Sequence, residues 1–168
     1  MATRNVVPVA NEILKQSLFG EMPELLRHTI NHKCNGSGDE EFTPAFLREV
    51  MVSRAFLRAA RRQGLVRKTI DRYGSSSYGW KHVIERLYPW GQAQYVGNDA
   101  FILAAHIEGL KMVNVSWDSP SVLLNLSKKT HRLVTYDDMA AELSMLMVEK
   151  LDGHDPFYGT EICDGTRN

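Results

Sequence analysis

The sequence predicts one mainly helical α+β domain that carries a single small β-hairpin. Its 168 residues suit one domain, and 43% hydrophobic with 24% charged residues is an ordinary globular composition. Most apolar segments are bracketed by helix-start and helix-stop residues, whereas only one region alternates apolar and polar residues as strands do. We expect one domain over residues 1–168, with a helical core from about residue 8 to 151 and a surface tail over 152–168.

The N-terminal part of the chain predicts three helices. The first two candidates are VANEILKQSLF and EMPELLRHTINHK, and Pro23 suits the first turn of the second. The glycine-rich and acidic stretch CNGSGDEEF, residues 34–42, is typical of an exposed loop. Thr43 as N-cap and Pro44 as the first helical residue then open a long helix that runs to about Gln63 and stops at Gly64.

The stretch YGSSSYGWKHVIER, residues 73–86, has the look of a phosphate-binding loop. Gly74 and Gly79 have the spacing of a Walker-type loop, but Trp80 stands where such a loop needs its lysine. We therefore expect a helix from Tyr78 to about Tyr88, capped by one of the serines at positions 75–77. An anion site at this helix N-terminus is the alternative.

A further helix and a hairpin are predicted next. Asn98 is expected to cap DAFILAAHIEGL, which Gly109 closes. MVNVSW and VLLNLS each alternate, and we expect them to pair through DSPS, with the apolar residues at 122, 124 and 126 on one face. The rival for this region is a helix that begins at Ser119 with Pro120 as its first residue.

The final predicted helix is YDDMAAELSMLMVEKL. Thr135 and Asp138, three residues apart, form the pattern of a capping box in front of it. The order of helices at 44–63, 77–88 and 98–110 followed by a hairpin at 112–127 matches that of a winged helix in topology alone. The third helix departs from that fold's DNA-reading role, since its polar residues include the acids Asp99 and Glu108, which phosphates repel.

Charge is segregated along a chain whose formal net charge is zero. Residues 43–72 carry eight Arg and Lys against two acids, and residues 137–168 carry eight acids against one Lys and one Arg. At about 100° per residue, four arginines of the long helix fall along one flank, and we call them the arginine band. The arginine band comprises Arg54, Arg58, Arg61 and Arg62.

Six further cations extend the basic character beyond that helix. They are Arg67, Lys68, Arg72, Lys128, Lys129 and Arg132. The arginine band and these six residues are the predicted nucleic-acid contacts, made to phosphates with weak reading of sequence. The competing interpretation is a solvated face, or one matched by the acidic C-terminal helix. Contact between residues 136–151 and 44–63 would use the band inside the fold and favour a protein-binding or purely structural role.

No catalytic residue, metal or cofactor is predicted. His28 and His32 have the i,i+4 spacing of two metal ligands, but Thr29 stands where a zincin helix has glutamate, and further ligands would have to come from His154 or Cys163. Neither of the two histidines in apolar-rich helices, at positions 82 and 106, has a neighbouring carboxylate in a dyad or triad pattern.

Two functions follow as hypotheses. The first is a non-enzymatic, regulatory nucleic-acid-binding protein, and the alternative is a protein-binding inhibitor, adaptor or assembly subunit acting through charged and aromatic surfaces. Six aromatic residues between positions 73 and 95 could stack bases, although we favour the interpretation that Trp80 and Tyr88 fill core space and Trp90 closes a loop. No apolar run could span a bilayer and the first residues do not resemble a signal peptide, so a cytoplasmic protein without membrane contact is expected. Cys34 and Cys163 are expected to be reduced thiols.

Overall fold

A computed structural model describes residues 44–89 and 94–151. They form five helices and one two-stranded antiparallel sheet, an α+β arrangement in which helix dominates. In chain order the elements are α1 (Pro44–Arg62), α2 (Ser77–Leu87), α3 (Asn98–Ile107), β1 (Met112–Asn114), β2 (Val122–Leu124), α4 (Thr130–Leu133) and α5 (Tyr136–Leu151). The two N-terminal helix candidates, the loop at 34–42, the Thr43 cap, His28, His32, both cysteines and the tail from 152 lie outside the described residues.

Helix α1 supplies one wall of the core, and it ends where the sequence predicts. Val50, Phe56 and Leu57 are fully buried along it. At its C-terminus Gly64 adopts φ +70°, the left-handed conformation that glycine reaches without the steric penalty of a Cβ. The Leu65 N–H donates back to the carbonyl of Ala60 at 2.9 Å, which closes the helix.

Helix α3 is the central element of the core. Every residue from Asp99 to Ala105 is buried, and Phe101 is fully so. It packs against α1 on one side and α2 on the other, while α5 covers a further side of α1. Gly109, at φ +69°, ends this segment as predicted.

The predicted hairpin is confirmed, and the rival helix from Ser119 is wrong. Met112 pairs with Leu124 and Asn114 with Val122 in an antiparallel register. The alternation of VLLNLS has the expected consequence, because Val122, Leu124 and Leu126 are all buried. The strands are shorter than the alternating segments, and the apolar positions 113, 115 and 117 of MVNVSW are exposed.

The predicted polar caps of α2 and α3 are corrected by the structure. Ser76 occupies the N-cap position of α2, but its side chain makes no capping hydrogen bond. Ser77 Oγ accepts the N–H of Val122 at 3.1 Å. Gly97, not Asn98, is the N-cap of α3, and the Asn98 amide donates to the carbonyl of Pro120 at 3.0 Å.

The last part of the described chain contains one confirmed prediction and one helix that was not predicted. The capping box before α5 is formed, since Thr135 N–H donates to Asp138 Oδ2 at 2.8 Å and Asp138 N–H donates to Thr135 Oγ1 at 3.2 Å. The short helix α4 was not predicted. No helix within residues 44–89 and 94–151 is long and apolar enough to cross a bilayer.

Candidate nucleic-acid interface

The arginine band faces carboxylates of the same chain. Arg54 Nε lies 2.6 Å from Glu108 Oε1, with the two side chains only 4% and 11% exposed. Arg58 Nε lies 3.2 Å from the same Glu108 oxygen, and Arg58 Nη1 lies 2.8 Å from Glu149 Oε1 on α5. These contacts join the ends of α3 and α5 to the flank of α1.

The other two members of the band also have partners. Arg61 donates to the backbone carbonyl of Glu108, and Arg62 pairs with the buried carboxylate of Glu142 on α5. Contact between the acidic C-terminal helix and the long basic helix is therefore present. As expected from the sequence, such contact favours a protein-binding or purely structural role over nucleic-acid binding by the band. Contact between these arginines and nucleic acid stays a prediction. The charge of the arginine band is already matched within the fold.

The protonation of Arg58 shows how strongly these carboxylates act. Burial lowers the pKa of this guanidinium, yet the hydrogen bond that it donates to Glu149 and the charge of Glu108 outweigh burial. The net pKa of Arg58 is raised above its ordinary value. The arginine therefore stays charged while it is held against two acids.

A contact between two loops places Arg67 near Lys128 and Lys129, three of the six other predicted cations. Val66 and Leu126 form an isolated antiparallel bridge. Arg67 N–H donates to the carbonyl of Asn125 at 2.7 Å, and the Asn125 side-chain amide donates back to the carbonyl of Arg67 at 2.6 Å. Residues 65–67 and 125–127 are thus paired antiparallel, although they are some sixty positions apart in the sequence.

All six of these cations are exposed. We call them the loop basic surface, comprising Arg67, Lys68, Arg72, Lys128, Lys129 and Arg132. Within the described part of the chain, only Arg67 has a carboxylate within salt-bridge distance, that of Asp71 at 3.8 Å. Lys111 adds a seventh cation at the margin of this surface, where its Nζ donates to the carbonyl of Lys68 at 2.8 Å.

A depression of about 610 Å³ lies between the two loops. Arg67, Lys128 and Lys129 line it together with Ser127 and Asp71. Its walls offer three cations and one hydroxyl against one carboxylate, which is suited to an anion that can approach from the side away from Asp71.

A second polar pocket, of about 590 Å³, lies along α2. Lys81 is 4% exposed there, with Nζ 3.1 Å from Glu85 Oε1. The same ammonium lies 5.2 Å from the ring centroid of Tyr78 and 4.9 Å from that of Tyr95. Two tyrosine rings and a carboxylate therefore offset the cost of burying this lysine.

Glu85 is the organising group of this pocket, and its ion pair with Lys81 is the one that their i,i+4 spacing predicts. Its Oε2 lies 2.6 Å from Nδ1 of His82, a carboxylate–imidazole contact that the sequence did not lead us to expect. The i,i+3 spacing on one helix face could have revealed the pair. Burial raises the pKa of Glu85, but the N–H of Val96 and the hydrogen bonds from Lys81 and His82 outweigh burial and lower it.

One serine–histidine contact invites a catalytic interpretation, and its surroundings argue against it. Ser75 Oγ and His131 Nε2 are 2.8 Å apart, and the imidazole stacks on Trp80 with ring centroids 4.3 Å apart. Burial and the charge of Arg86 both lower the pKa of His131. A neighbouring cation disfavours the imidazolium that a general base must become, so this pair serves packing better than catalysis.

The aromatic cluster divides between core and surface. Trp80 is buried as predicted and lies 6.4 Å from Phe56 between ring centroids, whereas Tyr73, Tyr78 and Tyr95 are more than half exposed. In the described ranges, no group of three or more His, Cys, Asp or Glu side chains is placed to hold a metal ion. No family model, curated protein or solved structure matches the chain.

Proposed function

We propose that this chain is a non-enzymatic nucleic-acid-binding protein that docks on a phosphate backbone through the loop basic surface. The observation that supports this most is the bridge between Val66 and Leu126, with the hydrogen bonds beside it, because it brings the exposed cation Arg67 close to Lys128 and Lys129 of a distant segment. Cations gathered in this way can contact successive phosphates of one backbone.

The loop basic surface suits this role better than the arginine band does. An exposed ammonium or guanidinium without a carboxylate partner is neutralised by mobile ions alone. Contact with a phosphate lets the nucleic acid release its own condensed counterions, which drives binding. A band that already faces Glu108, Glu142 and Glu149 would have to give up those ion pairs first.

Binding of this kind is expected to be nearly independent of sequence. A winged-helix arrangement, proposed from the element order alone, would make α3 the recognition helix. Residues 99–105 of α3 are buried in the core, so this helix cannot present a face to the major groove. The proposed contacts are therefore made to phosphates and not to base edges in a duplex.

The test is a comparison of two variants in a binding assay with random-sequence DNA at low salt. Lys128→Ala combined with Lys129→Ala is expected to weaken binding by roughly tenfold or more on every sequence, with unfolding unchanged, because both side chains are exposed. The matched control is Arg48→Ala, which removes an exposed cation of α1 far along the chain from both loops. Equal effects of the control and the double variant would refute a localised surface.

A second candidate function, protein binding as an inhibitor, adaptor or assembly subunit, is supported by the hairpin. Its tip carries Trp117, which is 87% exposed, and Val113 and Val115 are also exposed along β1 and beyond it. An aromatic anchor beside aliphatic side chains is typical of a protein-interaction patch. Absence of DNA binding at low salt would favour this candidate.

A further inference from the structure

The pocket along α2 has the features of a ligand site, and none of them is used by the loop basic surface. Its volume of about 590 Å³ falls within the range of small-ligand sites, roughly 300–1,000 Å³. Tyr78 and Tyr95 leave 54% and 63% of their surface exposed beside it. Exposed aromatic rings that flank a preformed pocket offer flat surfaces for stacking.

Two polar groups of the pocket have hydrogen-bonding capacity to spare. Lys81 carries three N–H donors, and only the one toward Glu85 is matched by an acceptor within the described residues. Asn98 Oδ1 is buried without a hydrogen-bond partner, although the amide nitrogen of the same side chain is held by Pro120. An unmatched buried carbonyl oxygen is destabilising by about 1–3 kcal/mol unless something donates to it.

These features together specify the chemistry of a ligand. It should be flat and aromatic to lie on the tyrosine rings. It should present an acceptor for the Lys81 ammonium and an N–H donor for Asn98 Oδ1. An unpaired nucleobase has both kinds of group on one edge of an aromatic plane, while in a duplex that edge is occupied by the partner base.

We propose that the pocket bounded by Tyr78, Lys81, Tyr95 and Asn98 binds an unpaired nucleobase, which makes single-stranded nucleic acid the preferred ligand of the chain. This inference rests on the proposed function, and it adds the class of nucleic acid. Tyr78 stacks on the base, Tyr95 offers the second ring, and Lys81 and Asn98 contact the base edge.

The position of the pocket relative to the loop basic surface agrees with this assignment. On α2, Trp80 stacks on His131 of α4, next to Arg132, whereas Tyr78 lines the pocket. Residues two apart on a helix point about 200° apart, so the two regions lie on opposite flanks of α2. A helix is about 10–12 Å wide, a span that a few nucleotides of single strand can cross.

The test uses the full chain with a single strand of about 15 nucleotides and a duplex of the same sequence, each at fixed low salt. Tyr95→Ala is expected to weaken single-strand binding by about tenfold and to leave duplex binding within about twofold. Tyr95→Phe, the matched control, keeps the ring and should retain single-strand affinity. Equal loss on both nucleic acids, or no loss on either, would overturn the pocket assignment while leaving the loop basic surface in place.

A second titration separates failure of this inference from failure of the proposed function. Adenosine and cytidine carry no phosphate and do not depend on the loop basic surface. Saturable quenching of tyrosine fluorescence by either nucleoside, abolished in Tyr95→Ala, supports the pocket even if no DNA binds. Absence of any nucleoside-dependent signal at millimolar concentration, together with indifference of single-strand binding to Tyr95→Ala, would reject it.

Discussion

Replacing Glu108 by glutamine tests whether the arginine band is committed to the fold. Glu108 occupies the C-cap position of α3, where a negative charge is opposed by the helix dipole. Its presence there is explained by Arg54 and Arg58, both of which direct Nε at its carboxylate. In Glu108→Gln the shape and part of the hydrogen bonding remain, while one carboxylate charge beside the buried guanidinium of Arg54 is lost.

The expected loss is about 3 kcal/mol in the free energy of unfolding. Two opposite charges about 4 Å apart attract by about 4 kcal/mol at an effective dielectric constant of 20. Relief of the unfavourable dipole contact returns up to about 1 kcal/mol. The remainder agrees with the range of about 3–5 kcal/mol seen when one partner of a buried ion pair is removed.

Urea unfolding followed by circular dichroism measures this loss, and Asp137→Asn is the matched control. Asp137 is an exposed acid in the first turn of α5, and its neutralisation should change the stability by no more than about 1 kcal/mol. If Glu108→Gln is no more destabilising than Asp137→Asn, the internal pairing is not a significant source of stability. The arginine band would then be free to bind nucleic acid, as the sequence first suggested.

Two other predictions concern local structure. Gly64→Ala should destabilise the chain by about 1 kcal/mol because φ at this position is +70°, although open space surrounds the new Cβ. Thermal unfolding measures this loss of stability, and an unchanged Tm would contradict the left-handed geometry. The pKa of Asp138 is lowered by the Thr135 N–H and hydroxyl, so its contribution to stability is present above its ordinary pKa of 3.8 and is lost as pH falls through the folded value. Thr135→Ala should cost about 1 kcal/mol at pH 7 and progressively less below pH 3.8, and a difference independent of pH would show that Asp138 is not the partner.

Local patterns in the sequence predicted most of the described secondary structure. Gly64 and Gly109 end helices because only a left-handed residue closes these turns, and the Thr135 capping box depends on residues three apart. The hairpin followed from alternation alone. Such features depend on neighbours along the chain, which the sequence displays directly.

Features that depend on distant contacts were not predicted. The serines before α2 were expected to cap it, but Ser77 is instead engaged by Val122 on β2. The sequence marks Glu108 as an acid that phosphates repel, whereas the structure places it in ion pairs with Arg54 and Arg58. The proximity of Arg67 to Lys128 and Lys129 arises from a bridge between separate loops, which no periodicity in either segment reveals.

The salt dependence of binding tests the central proposal most directly. The affinity of the unmodified chain for duplex DNA would be measured over a series of salt concentrations. Six phosphate contacts predict that log K falls against log salt with a slope of about −5, and the Lys128→Ala, Lys129→Ala variant should reduce that slope by about 2. A slope near zero, or one unchanged in the variant, would contradict docking of the loop basic surface on a phosphate backbone.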